Sequence, residues 1–177
     1  MKPHGISPRH QEVLARLSLL PRKIIARYSD DHTSEFTLHE LCHLTCFDLE
    51  KAAYFVDNPD FDCLQGIAGY HKAEHDDNLA QELEEPELFS RHLRTCRFNQ
   101  RVRTITGLSY RRARKTETDI LKFLAPLLTI SDPCCYIWPL KHDNYGILIY
   151  ERGKIQAEEL REHIENGIHI LSLCSLF

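Results

Sequence analysis

Cys135-Tyr136-Ile137-Trp138 and Tyr145-Gly146-Ile147-Leu148-Ile149-Tyr150 are dense in β-branched and aromatic side chains and flank a polar stretch containing His142, Asp143 and Asn144. Two such runs joined by a turn predict an antiparallel β-hairpin. Downstream, Leu160, Ile164, Ile168 and Leu171 recur at helical spacing and predict an amphipathic helix over about 155–174, beside which the hairpin can pack.

The remaining chain reads as mainly helical, except 61–70, where Phe61, Cys63, Leu64, Ile67 and Ala68 with Gly66 and Gly69 are expected to form a strand or a turn-rich strand pair. Ser7 followed by Pro8 is a helix start, because the hydroxyl can cap and the proline lacks an N–H that would be unpaired there anyway. Val13, Leu14, Leu17, Leu20, Ile24 and Ile25 continue that helix, with Pro21 expected to kink or split it. Thr37 is expected to cap a second helix through Leu38, Leu41 and Leu44, and a third is expected over Asp48–Val56, stopped by Asn58-Pro59. The stretch from Leu38 to Phe55, with small Cys42 and a turn near Cys46, resembles a helix-turn-helix. The expected fold is therefore α+β and mainly helical: a helix-turn-helix or winged-helix-like N-terminal half, then a C-terminal β-hairpin and helix. With 177 residues, one compact domain over 1–177 is expected, or a subdivision into an acidic helical part, 1–90, and a basic helix, hairpin and terminal helix, 91–177.

Composition narrows the class. The chain is 42% hydrophobic and 27% charged, which excludes a disordered or fibrous protein. No run approaches the length of a membrane helix, and the N-terminus lacks the apolar stretch of a secretory signal. Seven cysteines without the spacing of a disulfide framework suit a reducing compartment, so a cytoplasmic location and no membrane partner are expected. Charge is strongly segregated: residues 1–28 carry 6 basic and 1 acidic side chains, 29–90 carry 2 and 16, 91–116 carry 9 and none, and 117–177 carry 5 and 9. Such blocks steer charged partners, pair with each other inside one molecule, or drive self-association.

His39-Glu40-Leu41-Cys42-His43 matches HExxH. Four-residue spacing on a helix puts both imidazoles on one face, where they can hold Zn²⁺ while the intervening carboxylate activates water. The motif resembles that of the zincin metallopeptidases over five residues. The resemblance implies His39 and His43 as metal ligands, Glu40 as catalytic general base and a third ligand downstream, for which Glu74 is taken and His71, His75 and Asp76 are the other donors. A noncatalytic site is a further option, since Cys42 and Cys46 interleave with the two histidines and Cys63, Cys96, Cys134 or Cys135 can join them after folding. In the helix-turn-helix reading, His39, Glu40 and His43 are ordinary polar positions.

The segment 91–116 suggests the other chemistry. Arg101, Arg103, Arg111, Arg112 and Arg114 are the residues expected to contact a polyanion, with Phe98 and Tyr110 interleaved. Thr106-Gly107-Leu108-Ser109 also resembles a turn leading into a recognition helix. Asp48, Glu50 and Asp57 would face phosphates if the 38–55 motif read DNA, so that motif favours protein contacts instead. The functional expectation is a small regulatory or adaptor protein binding nucleic acid or an acidic protein surface and needing no cofactor. The alternative is a zinc-dependent hydrolase.

Overall fold

The computed structural model of the protein describes residues 7–27, 31–75, 79–153 and 161–174. The first helix, α1 (Pro8–Ala26), starts as the sequence predicts, with the Ser7 hydroxyl accepting from the His10 N–H and Pro8 in the first turn. A second, α2 (Thr33–Cys42), follows. Thr37 lies inside α2 rather than capping it, and its hydroxyl donates back to the Thr33 carbonyl (2.8 Å).

Next comes a hairpin of β1 (Leu49–Asn58) and β2 (Cys63–His71), then a 3₁₀ turn (Lys72–Glu74) and the helices α3 (Leu79–Glu84), α4 (Pro86–Leu93) and α5 (Arg97–Thr104). A two-residue strand, β3 (Thr106–Gly107), leads through a turn to α6 (Glu117–Leu128). The strands β4 (Pro133–Pro139) and β5 (Tyr145–Arg152) form the predicted hairpin, and α7 (Arg161–Ile168) and a last 3₁₀ turn (His169–Leu173) follow.

The strands build one antiparallel sheet in the order β3-β2-β1-β5-β4, so β1 sits at its centre with β2 on one side and β5 on the other. Ala52, Tyr54, Leu148 and Tyr150 face one apolar layer, shared with Val13 and Ile24 of α1, Phe36 and Leu41 of α2, and Phe89 of α4. Their alternating neighbours Ala53, Phe55, Ile147 and Ile149 face a second layer, shared with Phe98 and Val102 of α5 and Ile120, Leu124 and Leu128 of α6. The sheet is thus covered on both sides.

This arrangement overturns the mainly helical expectation. Residues 49–58, expected to complete a helix-turn-helix or winged helix, are the central strand, and the sheet runs through the middle of the chain. The cause is physical: a strand buried on both faces loses the apolar-polar alternation of a half-exposed strand, and a short continuous apolar run then reads equally well as helix. Residues 106–107, expected as the turn before a recognition helix, pair with β2 instead. The C-terminal helix is described only from Arg161; residues 155–160 of its expected span lie outside the described residues. No described helix is long and apolar enough to cross a membrane.

Candidate functional sites

Close packing of α5 on β2 sets the first site. Gly66 and Gly69 line the surface beneath α5: a Cβ at Gly66 would stand 1.9 Å from the Val102 carbonyl oxygen, and one at Gly69 would stand 2.8 Å from Val102 Cγ2. The buried Asn99 side chain locks the contact, its Oδ1 accepting from the Gly69 N–H (2.8 Å). Glu74 then accepts from the Phe98 N–H with both carboxylate oxygens (3.1 Å each), satisfying a donor in the first turn of α5. Cys96, the residue preceding α5, makes no capping bond with its side chain. Its buried thiol is left facing the segment that leaves β2.

There it meets histidines. One donor atom from each of His39, His75 and Cys96 lies within 4.8 Å of the others. The His39 ring packs edge-on against Tyr70, His75 and Phe89. Its Nδ1–H donates to the Glu35 carbonyl (2.8 Å), since a carbonyl can only accept, so Nε2 carries the lone pair. His75 Nδ1 lies 2.7 Å from His92 Nε2, and His92 Nδ1 lies 3.0 Å from Glu82 Oε2. A carboxylate beside His92 Nδ1 favours the proton there, which makes His75 Nδ1 the donor to His92 and leaves the lone pair of His75 on Nε2. Both lone-pair nitrogens, His39 Nε2 and His75 Nε2, are buried without a hydrogen-bond partner. Burial holds the His39 ring neutral, its pKa lowered to about 3, and lowers His75 to about 2 with help from the neighbouring imidazoles. Burial likewise pushes the Cys96 thiol up to about 12.

The other residues of the HExxH motif point into different surroundings. Glu40 is buried against α1, with one oxygen 2.8 Å from Lys23 Nζ and the other 3.2 Å from Arg16 Nη1. Burial opposes the charge on Lys23, but Glu40 and Glu84 outweigh it and raise the lysine pKa. His43 ends α2, and its Nδ1 accepts from the Thr45 N–H (3.3 Å) and lies 3.3 Å from Arg16 Nη2. Burial and the Arg16 guanidinium lower the His43 pKa. Of the expected set, then, only His39 lies in the donor cluster, while Glu40 and His43 are bonded to α1 and its neighbours and Glu74 caps α5. Asp76 lies outside the described residues. His75 and Cys96 were among the donors considered from sequence; His92 and Glu82 carried no spacing signal that could have marked them.

The second site is the turn 109–115. Asp57 of β1 is fully buried and accepts from Ser109 Oγ (3.1 Å), the Tyr110 N–H (3.1 Å) and the Arg111 N–H (3.2 Å). Asp62 accepts from the Ser109 N–H (3.1 Å). The chain makes one helical turn and closes with Arg114 in the left-handed region (φ 54°), as the Lys115 N–H returns to the Tyr110 carbonyl and the Arg114 N–H to that of Arg111. Arg111, Arg112, Arg114 and Lys115 emerge around an open cleft of about 620 Å³, completed by Pro59, Asp143 and Tyr145. Arg111 lies over the Tyr145 ring (4.2 Å) and Lys115 over Tyr110 (5.0 Å). Among the described residues, none of these four cations makes a salt bridge. Arg101 and Arg103 behave differently: Arg101 donates to Thr129 Oγ1 (3.1 Å), and Arg103 pairs with the buried Glu35 carboxylate (2.6 Å).

Comparison with protein-family models, with curated proteins and with solved structures finds no match to this chain.

Proposed function

We propose that this chain is a small cytoplasmic regulatory or adaptor protein that docks an acidic protein surface on the turn 109–115. The observation that carries the reading is the set of four cations, Arg111, Arg112, Arg114 and Lys115, held around one cleft by a buried carboxylate with no ion-pair partner among the described residues. Asp57 fixes the backbone from which they project, and Arg111 and Lys115 rest on aromatic rings, so these two lose less side-chain entropy when an anion arrives. Two features favour a protein over a nucleic acid. The Tyr145 and Tyr110 rings already carry Arg111 and Lys115, which removes them as stacking platforms for bases. Beside the turn, Leu108 is 72% exposed and Phe123 and Leu127 of α6 are 45% and 47% exposed, with the Phe123 ring 6.0 Å from that of Tyr110. An apolar rim beside cations suits a mixed acidic and hydrophobic partner face.

The test is fluorescence anisotropy with a labelled polyglutamate peptide and, separately, a single-stranded DNA oligonucleotide. Polyglutamate should bind the wild type with an affinity that falls as salt rises, and Arg111→Glu with Arg112→Glu should weaken it at least about tenfold. Undiminished binding after that double charge reversal overturns the reading. Binding of the oligonucleotide alone transfers the site to nucleic acid.

A further inference from the structure

The cluster of His39, His75 and Cys96 is separate from the basic turn, and the reading above makes no use of it. We propose that it is a site for a divalent transition-metal ion, zinc in the first instance, with His39 Nε2, His75 Nε2 and Cys96 Sγ as its ligands. The argument begins with two buried ring nitrogens whose lone pairs have no partner. A buried acceptor left unpaired is costly and calls for an explanation such as an ion, and one nitrogen of each ring lies within 4.8 Å of the other and of the Cys96 sulfur. Both ligand rings are already turned for coordination by a contact at the far nitrogen: His39 by the Glu35 carbonyl and His75 by His92, beside which the Glu82 carboxylate lies at 3.0 Å. Partners of that kind fix tautomer and orientation in metal sites.

The donor set selects the ion. Two imidazoles and a thiol suit Zn²⁺ or Co²⁺ and do not suit Mg²⁺ or Ca²⁺, which need oxygen ligands. Zinc bond lengths of about 2.0–2.3 Å place tetrahedral donor atoms roughly 3.3–3.8 Å apart, so donors within 4.8 Å of one another close by small side-chain rotations. On binding, the Cys96 S–H bond breaks, its proton passes to solvent and the sulfur electron pair forms the metal bond; both histidines are neutral and release none. The net single positive charge left at the site is opposed by Glu82 behind His92. The ion would join α2, the end of β2 and the start of α5, with Tyr70 and Phe89 packed on His39; three protein donors leave the fourth tetrahedral position to a water molecule.

The test uses full-length protein stripped with a chelator and titrated with Zn²⁺ against a chromophoric competitor, then with Co²⁺ by absorption. One ion per chain is expected, with a thiolate-to-cobalt charge-transfer band. Cys96→Ser should abolish that band and His75→Ala should abolish stoichiometric Zn²⁺ binding, while His92→Ala should weaken binding about 10–100-fold. His43→Ala should leave the affinity unchanged. If Cys96→Ser does not fold, Cys96→His supplies the second reading: it should keep the metal and lose the band. Failure of the wild type to bind Zn²⁺, a band that survives replacement of Cys96, or a loss of affinity in His43→Ala equal to that in His75→Ala each overturns the proposal. The polyglutamate assay is independent of all of these outcomes.

Discussion

His39 and His75 are held neutral by burial, and neutrality has a cost that grows with acidity. Their pKa values fall from the ordinary 6.5 to about 3 and about 2 in the fold, so below pH 6.5 the unfolded chain takes up protons that the metal-free folded chain refuses. Stability therefore falls as pH is lowered, by about 1.4 kcal/mol per pH unit for each histidine. The other ionisable groups around the pair include Tyr70, His92 and Cys96, with Glu82 behind His92 and with His71 and His43 acting on His75 through their charge. Urea denaturation of the metal-free protein between pH 6 and pH 4 should show this slope, and replacing His75 with phenylalanine should roughly halve it. A slope unchanged by that substitution would assign the acid sensitivity to other groups.

At the scale of elements, α5 does the positioning. Its approach to β2 depends on Gly66, where an added methyl would collide with a backbone carbonyl that no rotamer change can move aside. Gly66→Ala should cost about 2 kcal/mol, measured by urea denaturation, and should weaken Zn²⁺ binding at least about tenfold because α5 carries Cys96 with it. The approach of α5 was not legible in the sequence; a strand in 61–70 was, as were α1, since Ser7 and Pro8 mark its start locally, and the β4–β5 hairpin. The strand β1 escaped because Ala52 through Phe55 are buried toward both layers and show no alternation. The basic stretch 109–115 looked like a helix start; it makes a single turn because Asp57, fifty residues earlier in round figures, supplies the acceptor for its N–H groups. At the donor cluster His39 was legible from its own motif, whereas the motif's second histidine is engaged by Arg16 and Thr45. What joins His75 and Cys96 to His39 is sheet geometry, which leaves no fixed spacing to read.

Across the whole molecule, the charge blocks meet internally. Arg16 and Lys23 from the basic N-terminal block pair with Glu40, Lys23 also pairs with Glu84, and Arg103 pairs with Glu35. Among the described residues outside this pairing, Arg111, Arg112, Arg114 and Lys115 are the ones gathered around one cleft, at the other end of the segment that begins at Cys96. Between the two sites stand the Asn99–Gly69 bond and the β2–β3 pairing, both fixed to β2. Among the described residues the sites share no hydrogen-bond partner, so the stability effects of Cys96→Ser and Asp57→Asn should add to within about 0.5 kcal/mol in a double-mutant cycle. A larger interaction term would mean that β2 transmits strain between them. The order of the three donors along the chain has a further consequence for biosynthesis. Cys96 leaves the ribosome after His39, His75 and both strands of the β1–β2 hairpin, and no short nascent segment contains the full donor set. An ion captured here would follow the assembly of that hairpin with α5, yet none of the three donors is synthesised after α5, so capture does not wait for α6 or the β4–β5 hairpin.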